Sequence, residues 1–270
     1  MSDINFSIVI TARNQPANLL RCVKQFIAKA KYPEKNEIII MTDYDDHDTI
    51  DIFKDDIFQH YNIHTILRPQ SGILQLFNMT KYYVNHGVRY STGKYIWSVN
   101  AECKPETEHW DDIFITHIEQ YLADKPDRIV YIGMDDDTQT PEAVAHGPHK
   151  DLPGWKGVDR MKTYGCCFPL TTRETHDAMG MHLPEELTFW GADVVFYQIF
   201  KALPYDRILW LLDKVKILHE SVHNGKIPLD EGGQAALDRN IKLSYVGNLT
   251  PPQRVNYINK LSSAIANYQP

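Results

Sequence analysis

Two polar side chains, Asn100 and Glu102, follow directly on the apolar run Tyr95-Ile-Trp-Ser-Val99, which itself opens after Thr92-Gly93. A second run, Glu37-Ile-Ile-Ile-Met41, ends in the acidic segment Thr42-Asp-Tyr-Asp-Asp-His-Asp48. Both runs are short, β-branched or aromatic, and bounded by breakers or charges, the pattern of buried strands. In open α/β sheets, ligands bind beyond the C-terminal ends of the strands, so carboxylates placed there are candidates for chemistry. Glu102 is of the kind that holds a hard divalent cation, and Asn100 beside it offers a neutral oxygen. A solvated loop serves equally well as an account of Glu102 alone, and a charge run such as 42–48 is commonly a solvated loop.

Other residues carry weaker signals. Met134-Asp-Asp-Asp-Thr138 gathers three carboxylates at a strand end, and reads as an exposed acidic loop in preference to a second metal site, because adjacent side chains point apart. His146 and His149 suit a metal only on a helix or tight turn with further ligands. The His-, Gly- and Pro-rich stretch 143–157 is expected to be a loop over the site, with Trp155 either covering the face of a ligand or anchoring the loop. Asp193 falls near a helix start, where a carboxylate complements the helix dipole. His219 ends an apolar segment, and a lone His there is commonly a hydrogen-bonded structural residue.

The elements that must position these groups alternate. Phe6–Ile10 is a strand, followed by a polar turn and a helix over 17–30 with Leu19, Leu20, Val23, Phe26 and Ile27 at helical spacing. Strands are expected at 37–41, 63–67, 95–99 and 128–133, helices at 73–84 and from 105 to about 122, and a strand pair at 208–212 and 215–219. Gly87 reads as a helix C-cap. This β-α-β-α-β order predicts a Rossmann-like, mostly parallel sheet flanked by helices, in an α/β protein. An amphipathic helix is expected near 253–268.

With 270 residues the chain is long enough for a sizeable core. A formal net charge of −7 argues against a nucleic-acid binder that relies on phosphate contacts. The four cysteines lack paired zinc spacing, and reduced thiols in a cytoplasmic protein are the expectation. Neither a signal peptide nor an apolar run of transmembrane length is read in the sequence.

Gly93-Lys-Tyr-Ile-Trp-Ser-Val-Asn-Ala-Glu-Cys103 resembles the GxYIxxxDxD segment of family 2 glycosyltransferases of the GT-A fold, with Asn100 and Glu102 in place of the two Asp. Thr11-Ala-Arg-Asn14 is similar to that family's turn after the first strand, the 42–48 run to its DDGSxD, and Asn85-His-Gly87 to part of its RNxGxxxAxGxY. Gly191 and Asp193 match its GEDxDL, with Ala192 for the usual Glu. The resemblance spans about Phe6 to His219. It implies a single GT-A domain over 1–225, with a nucleotide-binding half at 1–100 and an acceptor-binding half at 101–225, and a helical extension at 226–270.

The resemblance further implies an inverting, metal-dependent transfer of sugar from a nucleotide-sugar, a UDP-sugar first, to an acceptor hydroxyl. Thr11, Arg13, Asn14, Asp43, Asn85 and Asn100 would contact the donor, Asp43 accepting the base N–H. Glu102 and His219, with His223 as fallback, would hold Mn or Mg, and Asp193 would be the general base. A glycan, a lipid-linked intermediate and a modified DNA base remain open as acceptors. The family's QxxRW has no match, which argues against a processive synthase. The alternative is a catalytically silent nucleotide-sugar binding or scaffold protein on the same fold.

Overall fold

The computed structural model describes residues 3–69, 80–136, 165–186, 192–220 and 251–268. Its spine is an eight-stranded sheet in the order β3-β2-β1-β4-β7-β6-β8-β5. The strands are β1 (Phe6–Thr11), β2 (Asn36–Asp43), β3 (Ile63–Arg68), β4 (Tyr95–Asn100), β5 (Cys103–Pro105), β6 (Tyr131–Asp135), β7 (Leu170–Thr172) and β8 (Ile208–His219). Strands β3, β2, β1 and β4 run parallel; β7 is antiparallel to both β4 and β6, so β6 again points the same way as β4.

Helices α1 (Pro16–Ala28), α2 (His47–Asp51) and α3 (Ile57–His60) fall among the first three strands. They are followed by α4 (Asn85–Val88), which continues a π-turn at Thr80–Val84, and by α5 (Trp110–Leu122). The later helices are α6 (Arg173–Met179), α7 (Ala192–Lys201) and α8 (Pro251–Ala266).

Every residue of β1 and β2 is buried, as expected of parallel strands covered on both faces. The period of two divides them. Ile8 and Ile10 join Trp97 and Val99 in the core under α1 and α5, while Val9, Ile39, Met41 and Ile96 pack on the opposite face with Tyr83 and Val88. On the first face Phe26, Trp97, Trp110 and Phe114 meet largely edge to face at 5.3–6.4 Å, a favoured aromatic geometry. Both indole N–H groups are satisfied, Trp97 on the Phe168 carbonyl (2.9 Å) and Trp110 on the Phe26 carbonyl (3.0 Å). A third cluster gathers Tyr131, Phe196 and Phe200 with Tyr257 and Leu261 of α8, which packs on α6 and α7.

Three local expectations change. The pair of strands at 208–212 and 215–219 is one 12-residue strand, β8, because Asp213 and Lys214 mark a bulge rather than a turn. Its first half pairs β6, and after a register shift its second half pairs β5. The segment from Pro105 is the end of β5, and α5 begins only at Trp110, after His109 in the left-handed region. Gly87 lies inside α4, not at a C-cap. A Cβ there would meet Val9 Cγ1 at 2.7 Å, so the glycine lets the helix sit directly on the sheet.

Candidate functional site

Because β6 points the same way as β1, β2 and β4, the C-terminal ends of these strands share one sheet edge. Asp43, Asn100, Asp135 and Asp136 all stand there. Two corners of that edge carry the candidate residues.

The first corner is built by β1 and β2. The β1–α1 turn places Asn14 in the left-handed region (φ 53°), which Asn tolerates better than most residues, and its N–H donates to Asp46 Oδ2 at 2.7 Å. Asp46 also accepts from the Thr42 hydroxyl and caps α2 through the Thr49 N–H. Burial works to raise the Asp46 carboxyl, but these hydrogen bonds outweigh it and hold the group below the ordinary range. The turn is thereby fixed, and Arg13 is aimed across the end of β2.

There Arg13 Nη1 pairs with Asp43 Oδ2, while the Tyr83 hydroxyl donates to Asp43 Oδ1. Arg13 Nη2 lies 3.7 Å from Asp45. Burial, then the bond to Asp43, pushes the Tyr83 phenol above its usual range, so it is a donor throughout the physiological pH span. Asp43 is 0% exposed. Asp43, the expected acceptor of a base N–H, is enclosed in this structure by Tyr83 and Arg13, one at each oxygen.

The second corner lies at the ends of β4 and β8. Thr11 Oγ1 donates to Asn100 Oδ1 at 3.2 Å, tying the ends of β1 and β4. Glu102, 9% exposed, accepts from Gln15 Nε2 (2.6 Å), and its other oxygen lies 3.5 Å from His219 Nε2. The β5–β8 pairing, which sets Cys103 opposite His219, brings these two groups together across a long stretch of chain. The Phe168 ring meets the His219 imidazole edge to face at 4.9 Å. Just outside, Glu220 bridges Lys104 and Arg21.

Among the described residues no group of three or more His, Cys, Asp or Glu is arranged to hold a metal. Glu102 and His219 nevertheless offer an oxygen and a nitrogen donor side by side. A Mg- or Mn-type ion commonly takes one or two protein ligands and completes its shell with water and substrate phosphates, and this pair fits that kind of shared site.

The remaining candidates fall elsewhere. Asn85 is buried and spent on the backbone: its Oδ1 accepts from His182 N–H and Leu183 N–H, and its Nδ2 donates to the Leu183 carbonyl. It clamps the 182–183 segment to α4, with both polar atoms of the amide engaged there. Asp193 is half-buried in the first turn of α7, near Cys166 and Tyr131. Burial pushes the Cys166 thiol up to about 12, and the Asp136 and Asp193 carboxylates add to the rise against the Tyr131 hydroxyl and a backbone N–H.

Asp136 is not in an exposed loop. It is fully buried and accepts from the Cys167 N–H, which anchors the segment leading to Phe168. Asp137, His146, His149, Trp155, Gly191 and His223 lie outside the described residues.

Sequence reasoning missed Tyr83, Gln15 and Phe168. Each acts through a partner distant in the chain, and none sits in a motif that announces it.

The model of the family described as Glycosyl transferase family 2 matches residues 7–173. No curated protein sequence matches the chain. Among solved structures, the mannosyltransferase PcManGT from Pyrobaculum calidifontis, in complex with GDP-Man and Mn2+, is similar at TM-score 0.55 and 12% identity, over 96% of this chain and 69% of that one. S. aureus TarS 1-349 in complex with UDP-GlcNAc is similar at TM-score 0.57 and 12% identity, over 97% of this chain and 82% of that one. At such identities the likeness shows the fold, a curled and mostly parallel sheet flanked by helices.

Proposed function

The chain belongs to glycosyl transferase family 2, and from that premise we propose that it is an inverting, metal-dependent enzyme moving a sugar from a nucleotide-sugar to an acceptor hydroxyl. The observation that carries the reading is the meeting of Glu102 and His219 at the C-terminal sheet edge, beside the Arg13–Asp43 corner. We assign the nucleotide to the 1–100 half, the acceptor to the 101–225 half, and a packing role to the helix of the 226–270 extension.

In this mechanism Asp193 takes the proton of the acceptor hydroxyl as its oxygen attacks the anomeric carbon from the face opposite the diphosphate. The bond from that carbon to the phosphate oxygen breaks in the same displacement, which inverts the centre. A bound Mn or Mg ion supplies positive charge to the leaving diphosphate, and Glu102 and His219 would hold it. Gln15 orients Glu102, and Phe168 fixes the ring of His219. Asn100 adds a neutral oxygen. No described helix is long and apolar enough to cross a membrane.

Thermal unfolding of the full chain with UDP-GlcNAc, GDP-Man and other nucleotide-sugars, each with and without Mn, tests the donor reading. A ligand at a hundred times its dissociation constant stabilises the native state by about 2.7 kcal/mol. A metal-dependent rise with one nucleotide-sugar is the expected outcome; no rise with any of them overturns the reading.

The silent binding protein is the second reading. Asn100, committed to Thr11 where the family carries a carboxylate, favours it. Binding without either transfer or slow hydrolysis of the donor would decide for it.

A further inference from the structure

We propose that Glu220 is a positioning residue for the cation: by joining Arg21 of α1 to Lys104 of β5, it holds the end of β8 so that His219 stays opposite Glu102. The inference rests on the metal reading above and extends it to residues outside the ligand pair. Glu220 Oε1 accepts from Lys104 Nζ, and Glu220 Oε2 from Arg21 Nη2. Arg21 Nη2 also donates to Asn18 Oδ1 on the same helix at 2.6 Å, which fixes the guanidinium against α1. The side chains of Lys104 and Glu220 are only 17% and 21% exposed, so solvent and salt screen this pair less than an ordinary surface contact.

The main chain alone holds His219 weakly. The β5–β8 ladder sets Cys103 against His219, Lys104 against Leu218 and Pro105 against Ile217, and the proline brings no N–H to it. His219 is in the terminal pair, and the next bond, from the Glu220 N–H to the Glu102 carbonyl, is long at 3.4 Å. The Glu220 carboxylate adds two charge-assisted anchors one residue beyond the ligand. Helix α1 is their common reference. Gln15, its N-cap residue, donates to Glu102 Oε1, and Arg21, further along, holds Glu220. The helix is itself fixed by the buried Leu19, Val23, Phe26 and Ile27. One rigid element thus sets both donors of the pair, Glu102 directly and His219 through Glu220. Groups that orient metal ligands in this way tune affinity without touching the ion.

The test is isothermal titration of Mn into the full chain, alone and in the presence of UDP or of GDP, for the natural protein, Glu220→Gln, the double variant Arg21→Gln/Lys104→Gln and His219→Ala. A urea midpoint for each variant gives the folded fraction to which binding is referred. Glu220→Gln should weaken Mn binding at least about tenfold. Loss of a carboxylate near a cation would weaken binding through charge alone, and the double variant separates the two causes. It removes two positive charges from beside the site, which through charge alone would tighten Mn binding. Loss of the anchors weakens it instead, and weaker binding is the expected result.

If the double variant binds Mn as tightly as the natural protein, or more tightly, Glu220 acts through its charge or not at all, and the proposal falls while the metal reading stands. Undiminished binding by Glu220→Gln overturns it as well. His219→Ala distinguishes the two failures, because it should lose Mn binding however Glu220 behaves. If it binds Mn as the natural protein does, or if the natural protein binds Mn under none of these conditions, the Glu102–His219 pair holds no cation, and the proposal falls with that reading.

Discussion

At the start of β2, Glu37 accepts hydrogen bonds from the Ser7 hydroxyl (2.6 Å), the Gly93 N–H (3.1 Å) and the N–H and hydroxyl of Thr92. At the end of the same strand, Asp43 faces the Arg13 guanidinium and the Tyr83 hydroxyl. Both carboxylates are buried, yet their partners differ in kind. The hydrogen-bond donors on Glu37 are uncharged, two backbone N–H groups and two hydroxyls, with the His64 imidazole 3.9 Å away, and Gly93 is packed so closely on β1 that a Cβ would meet Ser7 Oγ at 2.6 Å. That end is a joint, which sets where β4 begins and so where Asn100 and Glu102 emerge. The Asp43 end holds a half-exposed cation that a ligand can address. A buried carboxylate with fixed neutral donors builds the fold, and one paired with a reachable cation builds a site.

If this division holds, changes at the two sheet edges separate into losses of activity and losses of stability. The largest effect expected is on the ligand edge: Asp193→Asn lowers turnover by about 10²–10⁴-fold while the unfolding midpoint and donor affinity stay unchanged. Retained turnover removes Asp193 as the base, and a large loss of stability would blur the division.

At the opposite edge Glu37→Ala removes the acceptor shared by the Ser7 hydroxyl, the Thr92 N–H and the Gly93 N–H, the last of which keeps Ser7 Oγ at 2.8 Å, and should cost about 3 kcal/mol in urea unfolding. The folded fraction should keep its donor affinity. A loss of affinity without a loss of stability would show that the joint belongs to the site.

His182, in the middle of the sheet between the Ser98 and Thr171 hydroxyls, sharpens the comparison with pH. Burial, with His176 and Arg173 adding to it, depresses its imidazole from 6.5 to about 3. Above pH 6.5 neither the folded nor the unfolded chain protonates it. Between there and about 3 the unfolded chain takes up a proton that the folded chain refuses, so stability falls as pH falls. The slope is at most about 1.4 kcal/mol per pH unit. Urea midpoints at pH 7, 6 and 5 should show this slope, and His182→Gln should flatten it.

The smallest effect is expected from Tyr83→Phe, which removes one hydrogen bond to Asp43 and should cost about 1 kcal/mol of stability. A substantially larger loss would make the Asp43 end a joint as well.

The strands were legible because burial on both faces writes itself as unbroken runs such as Ile38-Ile-Ile-Met41, and α1 because Leu19, Val23, Phe26 and Ile27 recur at helical spacing. Glu102 and His219 were legible through motif order alone. What brings them together is the pairing of β5 with β8, which no local pattern reports. The Asp213–Lys214 bulge reads as a break in the sequence for the same reason: two charges look alike in a turn and in a bend. Asn85 and Asp43 show the opposite case. Their motif positions were visible, but their burial and their partners, Leu183, His182, Arg13 and Tyr83, are set by tertiary contacts far away in sequence.

The two halves of β8 also impose an order on assembly. Arg13, Asp43 and Tyr83 all precede residue 100, so a chain emerging from the ribosome carries everything needed to close the first corner once β4 is out. The second corner must wait for His219, because Glu102 gains that neighbour only when the end of β8 pairs with β5. Glu102 can share a cation with His219 only after β8 has been added.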